Sequence, residues 1–135
     1  MIRVDKTKKI AIVKRGSVIT KSIKFDGTII SGMNCSFLGD VIAKEIKLMR
    51  NCVINGEIKC DKLILGSNSQ FNTIEAKEVL ILSKCTGEKI KASGDVRITD
   101  NCKINEISAN RLIIEGNSKV DKVEAKKVIA LSHFV

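Results

Sequence analysis

The sequence predicts an all-β chain: a single-stranded, right-handed parallel β-helix, triangular in section, with 16–17 residues per coil and six to seven coils. Three observations predict it. One short pattern returns six times between Asn34 and Ser132 at shifts of 16 or 17 residues. Within each copy the six inward positions come as three pairs, with members two residues apart and successive pairs three or four apart. No window sustains the i, i+3, i+4, i+7 stripe of an amphipathic helix. A spacing of two puts both side chains on one face of an extended strand, and a step of three or four turns a corner. A fixed period of this length marks repeats that bury a continuous core only by stacking.

The columns define each element in turn. The first pair is Cys35, Cys52, Ser69, Cys85, Cys102, Ser118, followed by Phe37, Ile54, Phe71, Gly87, Ile104, Val120. The second pair is Val41, Ile58, Ile74, Ile90, Ile107, Val123, followed by Ala43, Cys60, Ala76, Ala92, Ala109, Ala125. The third is Ile46, Leu63, Val79, Val96, Leu112, Val128, followed by Leu48, Leu65, Ile81, Ile98, Ile114, Ala130. β-Branched and aliphatic residues suit stacked strands. Coils differ in length by single residues at corners, with Gly39, Gly56 and Gly94 in the longer ones. Parallel crossovers in ordinary sheets are right-handed in nearly every case, hence the hand.

Residues 1–16 read as a basic lead-in and capping segment, and residues 17–135 as the β-helix domain. In the lead-in either Ile10 and Ile12 or Ala11 and Val13 face inward. Ser17, Ile19, Ile23, Phe25, Ile29 and Ser31 fill the six columns of the first coil. The chain has no Pro, Trp or Tyr, carries a net charge of +9, and contains no apolar run long enough to span a membrane. Met1 to Lys9 lacks the apolar centre of a signal peptide. The expectation is a cytoplasmic protein, or one bound peripherally at the inner face of the membrane.

Five cysteines fall on inward columns. Cys35, Cys52, Cys85 and Cys102 alternate with Ser, and Cys60 stands among alanines. That is the behaviour of buried structural thiols. With no CxxC pair and one histidine, His133, neither zinc nor a catalytic base is indicated. No cofactor is expected, and the chain is read as a non-enzyme. Before the cysteine column runs an asparagine column, Asn34, Asn51, Asn68, Asn101 and Asn117, interrupted by Lys84. Asparagine suits a left-handed corner and can hydrogen-bond from coil to coil. Charges alternate between coils at Lys44, Asp61 and Lys77 and at Glu45, Lys62 and Glu78, which sets register.

One outward column departs from the rest. Ile30, Lys47, Ile64, Leu80, Arg97, Ile113 and Ile129 are mostly apolar on a face that should meet water. A contiguous apolar stripe marks an interaction surface. Ile30, Ile64, Leu80, Ile113 and Ile129 are its candidate contacts with another solenoid, a protein partner or a membrane. At the C-terminal end Phe134 falls in the cysteine column and starts a coil that does not finish. Uncapped ladders make Phe134 at one end, and Ile19 or Phe25 at the other, the candidates for an end-to-end contact.

The repeat seen in Ile54, Gly56, Ile58, Cys60, Leu63, Leu65 and in Phe37, Gly39, Val41, Ala43, Ile46, Leu48 resembles that of the bactofilins, bacterial polymer-forming cytoskeletal proteins. The resemblance covers about residues 17–132. It implies a right-handed β-helix that joins end to end into filaments without nucleotide, as a cytoplasmic scaffold linked to cell shape, with the chain itself as main partner and the membrane surface or cell-envelope proteins as further ones. The alternative is a non-polymerising solenoid adaptor that binds a protein through the apolar stripe. Nucleic acid is disfavoured: the charge would give salt-dependent affinity, but three of the four phenylalanines fall in inward columns and leave little to stack on bases.

Overall fold

The computed structural model describes residues 1–131. Every regular element among them is a β-strand. In order these are β1 (Ile2–Asp5), β2 (Ile10–Val13), β3 (Val18–Ile19), β4 (Ile23–Lys24), β5 (Thr28–Ser31), β6 (Ser36–Phe37), β7 (Val41–Ile42) and β8 (Glu45–Leu48). Then come β9 (Val53–Lys59), β10 (Lys62–Leu65), β11 (Gln70–Ala76), β12 (Glu78–Ile81), β13 (Thr86–Ala92), β14 (Asp95–Ile98), β15 (Lys103–Glu115) and β16 (Lys119–Leu131). They stack as a parallel β-solenoid of about seven turns.

Three faces result. The wide face stacks β2, β5, β8, β10, β12 and β14, then the C-terminal halves of β15 and β16. A second face, headed by the cysteine column, stacks β3 and β6 on the first residues of β9, β11, β13, β15 and β16. The third stacks β4 and β7 on the later residues of those strands. Inward columns meet their own kind in register, as at Ile29, Ile46, Leu63, Val79, Val96 and Leu112, all buried.

The single-residue length differences sit where the sequence places them. Between Phe71 and Thr73 the register slips by one residue against β9, because coil three carries Asn55 and Gly56 where coil four carries Asn72 alone. The corners shorten along the chain until β15 and β16 each run 13 residues without a break. Left-handed backbone recurs at one corner, at Asn34, Asn51, Asn68, Lys84 and Asn101, with φ between 58 and 62°. Gly16 serves the first coil; in the last the positive φ falls on Gly116, one residue before Asn117. The asparagine side chains also stack, with Asn68 Nδ2 donating to Asn51 Oδ1 at 2.7 Å.

At the N-terminal end the structure resolves the choice of inward residues in favour of Ala11 and Val13, which are buried, while Ile12 faces out. It also gives the lead-in a form that the repeat does not contain. β1 pairs antiparallel with β2, matching Ile2 with Val13 and Val4 with Ala11, and so covers the first edge of the wide face. No helix among the described residues is long and apolar enough to cross a membrane.

Candidate assembly surfaces

The two ends of the solenoid differ from its middle in one respect: their inward columns are open. Residues facing each other across an antiparallel pair point to the same side. Ile2 and Val4 therefore extend the columns of Val13 and Ala11, yet they are 43% and 47% exposed. At the other end Val123 and Val128 continue the columns of Ile107 and Leu112, and they are 44% and 51% exposed against 0% for those neighbours. Among the described residues the 13-residue β16 pairs only with β15, along one of its two edges.

The end residues selected from the sequence fare unequally. Phe134 lies outside the described residues. Ile19 is buried at 8% exposure and Phe25 packs half-buried against the core, so neither offers a free rung. The free apolar rungs at this end belong to Ile2 and Val4, whose alternation was legible in the sequence but fell outside the repeat. The same end concentrates charge. Residues 1–24 hold eight Lys and Arg against one acid, Asp5, so most of the +9 sits on β1, β2 and the first coil rather than being spread along the coils.

The outward stripe of the wide face is continuous. Ile30, Lys47, Ile64, Leu80, Arg97, Ile113 and Ile129 stand in one registered ladder, and Ile12 adds a rung at its start. Ile12 and Ile64 are exposed; Ile30, Leu80, Ile113 and Ile129 are half-buried by their neighbours above and below. Shallow relief along it is lined by Lys47, Ile64, Leu80, Arg97 and Ile113. Both flanks are held by ion pairs between coils. Glu115 grips Arg97 through two bonds of 2.9 and 3.2 Å, and Asp95 accepts from Arg111 Nε at 3.1 Å. The corner ladder of Lys9, Asp26, Lys44, Asp61 and Lys77 is looser. Its ion pairs Lys9–Asp26, Lys44–Asp26 and Lys77–Asp61 span 3.4–3.9 Å between largely solvated side chains, which fixes register more than it stabilises.

The cysteines are free thiols, and Cys35, Cys52, Cys85 and Cys102 are buried. They do more than fill space. Cys35 donates to the Lys14 carbonyl at 3.2 Å, Cys85 to Gly66 at 3.2 Å and Cys102 to Leu82 at 3.1 Å. Those carbonyls follow wide-face strands one coil below. Ser118 donates in the same way to Thr99, and Ser17 bonds locally to the Lys14 carbonyl three residues before it. The column therefore supplies an X–H donor at most of its corners, while Ser69 Oγ accepts from the Cys52 N–H at 3.1 Å, which explains why Ser replaces Cys in it and Ala never does. That restriction was the available sequence signal, and a reading based on size alone misses it. Burial pushes the Cys60 thiol up to about 12, with the Asp61 carboxylate adding to the effect. The Cys85 thiol is pushed up by its hydrogen bond to Cys102 and by burial.

Among the described residues no group of three or more His, Cys, Asp or Glu side chains is placed to hold a metal ion. Neither protein-family models, nor curated proteins, nor solved structures yield a match to this chain.

Proposed function

We propose that the chain is a structural protein that assembles end to end into filaments without nucleotide, and that it acts by assembly rather than by catalysis. One observation carries the proposal: apolar columns buried along the whole solenoid open to solvent at Ile2 and Val4 and again at Val123 and Val128. Each junction between solenoids would bury these rungs and give the β16 edge hydrogen-bond partners, the two things an exposed strand end lacks. Contacts between unlike ends propagate into a filament when the rotation between copies does not close a ring. The resemblance of the repeat to that of the bactofilins points the same way, towards a cytoplasmic scaffold linked to cell shape.

The basic end extends the reading. Met1, Ile2 and Val4 are exposed among Arg3, Lys6, Lys8 and Lys9. Each cation near an anionic lipid surface contributes about 1 kcal/mol, so Arg3, Lys6, Lys8 and Lys9 suit the inner face of a membrane, while Ile2 and Val4 are taken up by the junction.

A second reading rests on the apolar stripe: a solenoid that stays single and uses Ile64 and Leu80 to hold another protein. Sedimentation velocity of the wild type and of Val128→Arg separates the two. The assembly reading expects large species in the first and monomers in the second. Small discrete species in both would leave the adaptor.

A further inference from the structure

Between Ile12 and Ile129 the ladder on the wide face reads alike from either end, with Arg3 of β1 standing as one further rung beside Ile12. Counting inward from Ile12 and from Ile129, the first two rungs are apolar, the third is basic (Lys47 or Arg97), and the fourth is apolar (Ile64 or Leu80). We infer that this face is an interface between two copies of the chain, laid face to face with their long axes antiparallel, about a two-fold axis running along the strands between β10 and β12.

In that register Ile64 meets Leu80 of the second copy, Ile30 meets Ile113 and Ile12 meets Ile129. A slip of one coil either way puts a basic rung on an apolar one. The neighbouring outward column decides the charge. Lys62 and Glu78 are registered neighbours in one chain, so across the axis each faces the other residue of the second copy, and four charges alternate around a square. Lys47 meets Arg97, and Glu45 meets Asp95, but Arg97 brings its Glu115 with it and Asp95 brings its Arg111. A parallel pair would also match apolar with apolar. It would set Lys47 and Arg97 each against itself, and Glu45 and Glu78 against Met49 and Leu82.

The size fits a contact between assemblies. Eight strands about 4.8 Å apart and four residues wide give a patch roughly 34 by 13 Å. Two such patches bury on the order of 1,000 Å², the lower bound for a specific interface. Single copies therefore pair weakly. Copies joined in a row pair strongly, since each added contact is made at high effective concentration. This last step rests on the proposed assembly; the pairing itself does not.

The test mixes two charge variants, Lys62→Glu and Glu78→Lys. Both positions are exposed, and melting curves check that both variants fold. Each variant alone sets like charges across the axis, whereas the one-to-one mixture restores opposite charges. Sedimentation velocity at low salt, up to about 1 mM, should show reversible dimers for the wild type. Each variant alone should pair at least fivefold more weakly, with recovery in the mixture. An Ile64→Cys chain mixed with a Leu80→Cys chain should form an oxidised heterodimer faster than either forms its homodimer. Wild type that stays monomeric throughout and forms only single-width filaments, or a mixture no stronger than its components, overturns the inference. So does a stripe that is protected only by lipid vesicles or by a different protein. Electron micrographs keep the two proposals apart. Single-width filaments from the wild type contradict the pairing alone, and antiparallel pairs without filaments contradict end-to-end assembly alone.

Discussion

The ring of Phe71 occupies the place where a side chain on Gly87 would stand. The two residues are registered neighbours in the second inward column, and a Cβ on Gly87 would collide with three ring carbons of Phe71. Gly87 is thus a matter of space and not of backbone conformation: a large residue in coil four is balanced by none in coil five. Gly87→Ala should destabilise the fold by about 1–3 kcal/mol, as overpacking does. Phe71→Leu should make the same alanine cheaper. Urea unfolding of the two single variants and the double variant should show a coupling of at least about 0.5 kcal/mol, and strict additivity would contradict the contact.

Lys84 holds a φ of 62° in a column that otherwise uses Asn or Gly. A long side chain gains nothing in left-handed backbone, while Asn tolerates it through local hydrogen bonding. Lys84→Asn should stabilise by about 0.5–1 kcal/mol and extend the side-chain ladder that joins Asn51 to Asn68. Thermal or urea unfolding measures it, and a loss of stability would contradict the assignment of strain.

The thiol column is a column of donors. Cys102→Ala removes the donor to the Leu82 carbonyl, whereas Cys102→Ser keeps one. Leaving a buried acceptor unpaired costs about 1–3 kcal/mol, so the alanine variant should be the less stable of the two. Equal stability would reduce the column to simple packing.

Cys60 gives a pH signature. Its thiol stays protonated in the fold up to about 12, against an ordinary 9.0. A group whose folded pKa is raised favours the fold below its unfolded pKa. That contribution is lost as pH rises through the folded value, so stability should fall between about pH 9 and 12. Cys60→Ala should lessen that fall. At pH 8 the native thiol should react with a maleimide about a thousandfold more slowly than a free cysteine, because the thiolate is the nucleophile.

Most of the architecture was legible because burial imposes its own period. A side chain such as Ile58 or Val96 can be inward only if every second and every sixteenth or seventeenth neighbour agrees, and the sequence displays both spacings. What the repeat could not convey lies where the repeat stops. Ile2 and Val4 alternate as a strand, but their antiparallel partner is set by the reversal between Asp5 and Ile10, which has no counterpart in later coils. Ile19 stands first in its column, where exposure would be expected, and is buried. The bond from Cys35 to the Lys14 carbonyl spans 21 residues and depends on corner geometry that composition does not encode.

The open ladder ends bear most directly on what the chain does. Val123→Arg and Val128→Arg place a charge on rungs already about half exposed, so the monomer should lose little stability. A charge buried unpaired at a junction would be costly, so both variants should block assembly.

The decisive measurement is negative-stain electron microscopy of the purified chain without nucleotide, beside Val128→Arg under the same conditions. Long unbranched filaments in the first and isolated particles in the second are the expected result. Isolated particles in both, or filaments undiminished by the arginine, would contradict assembly through the open ends of the solenoid.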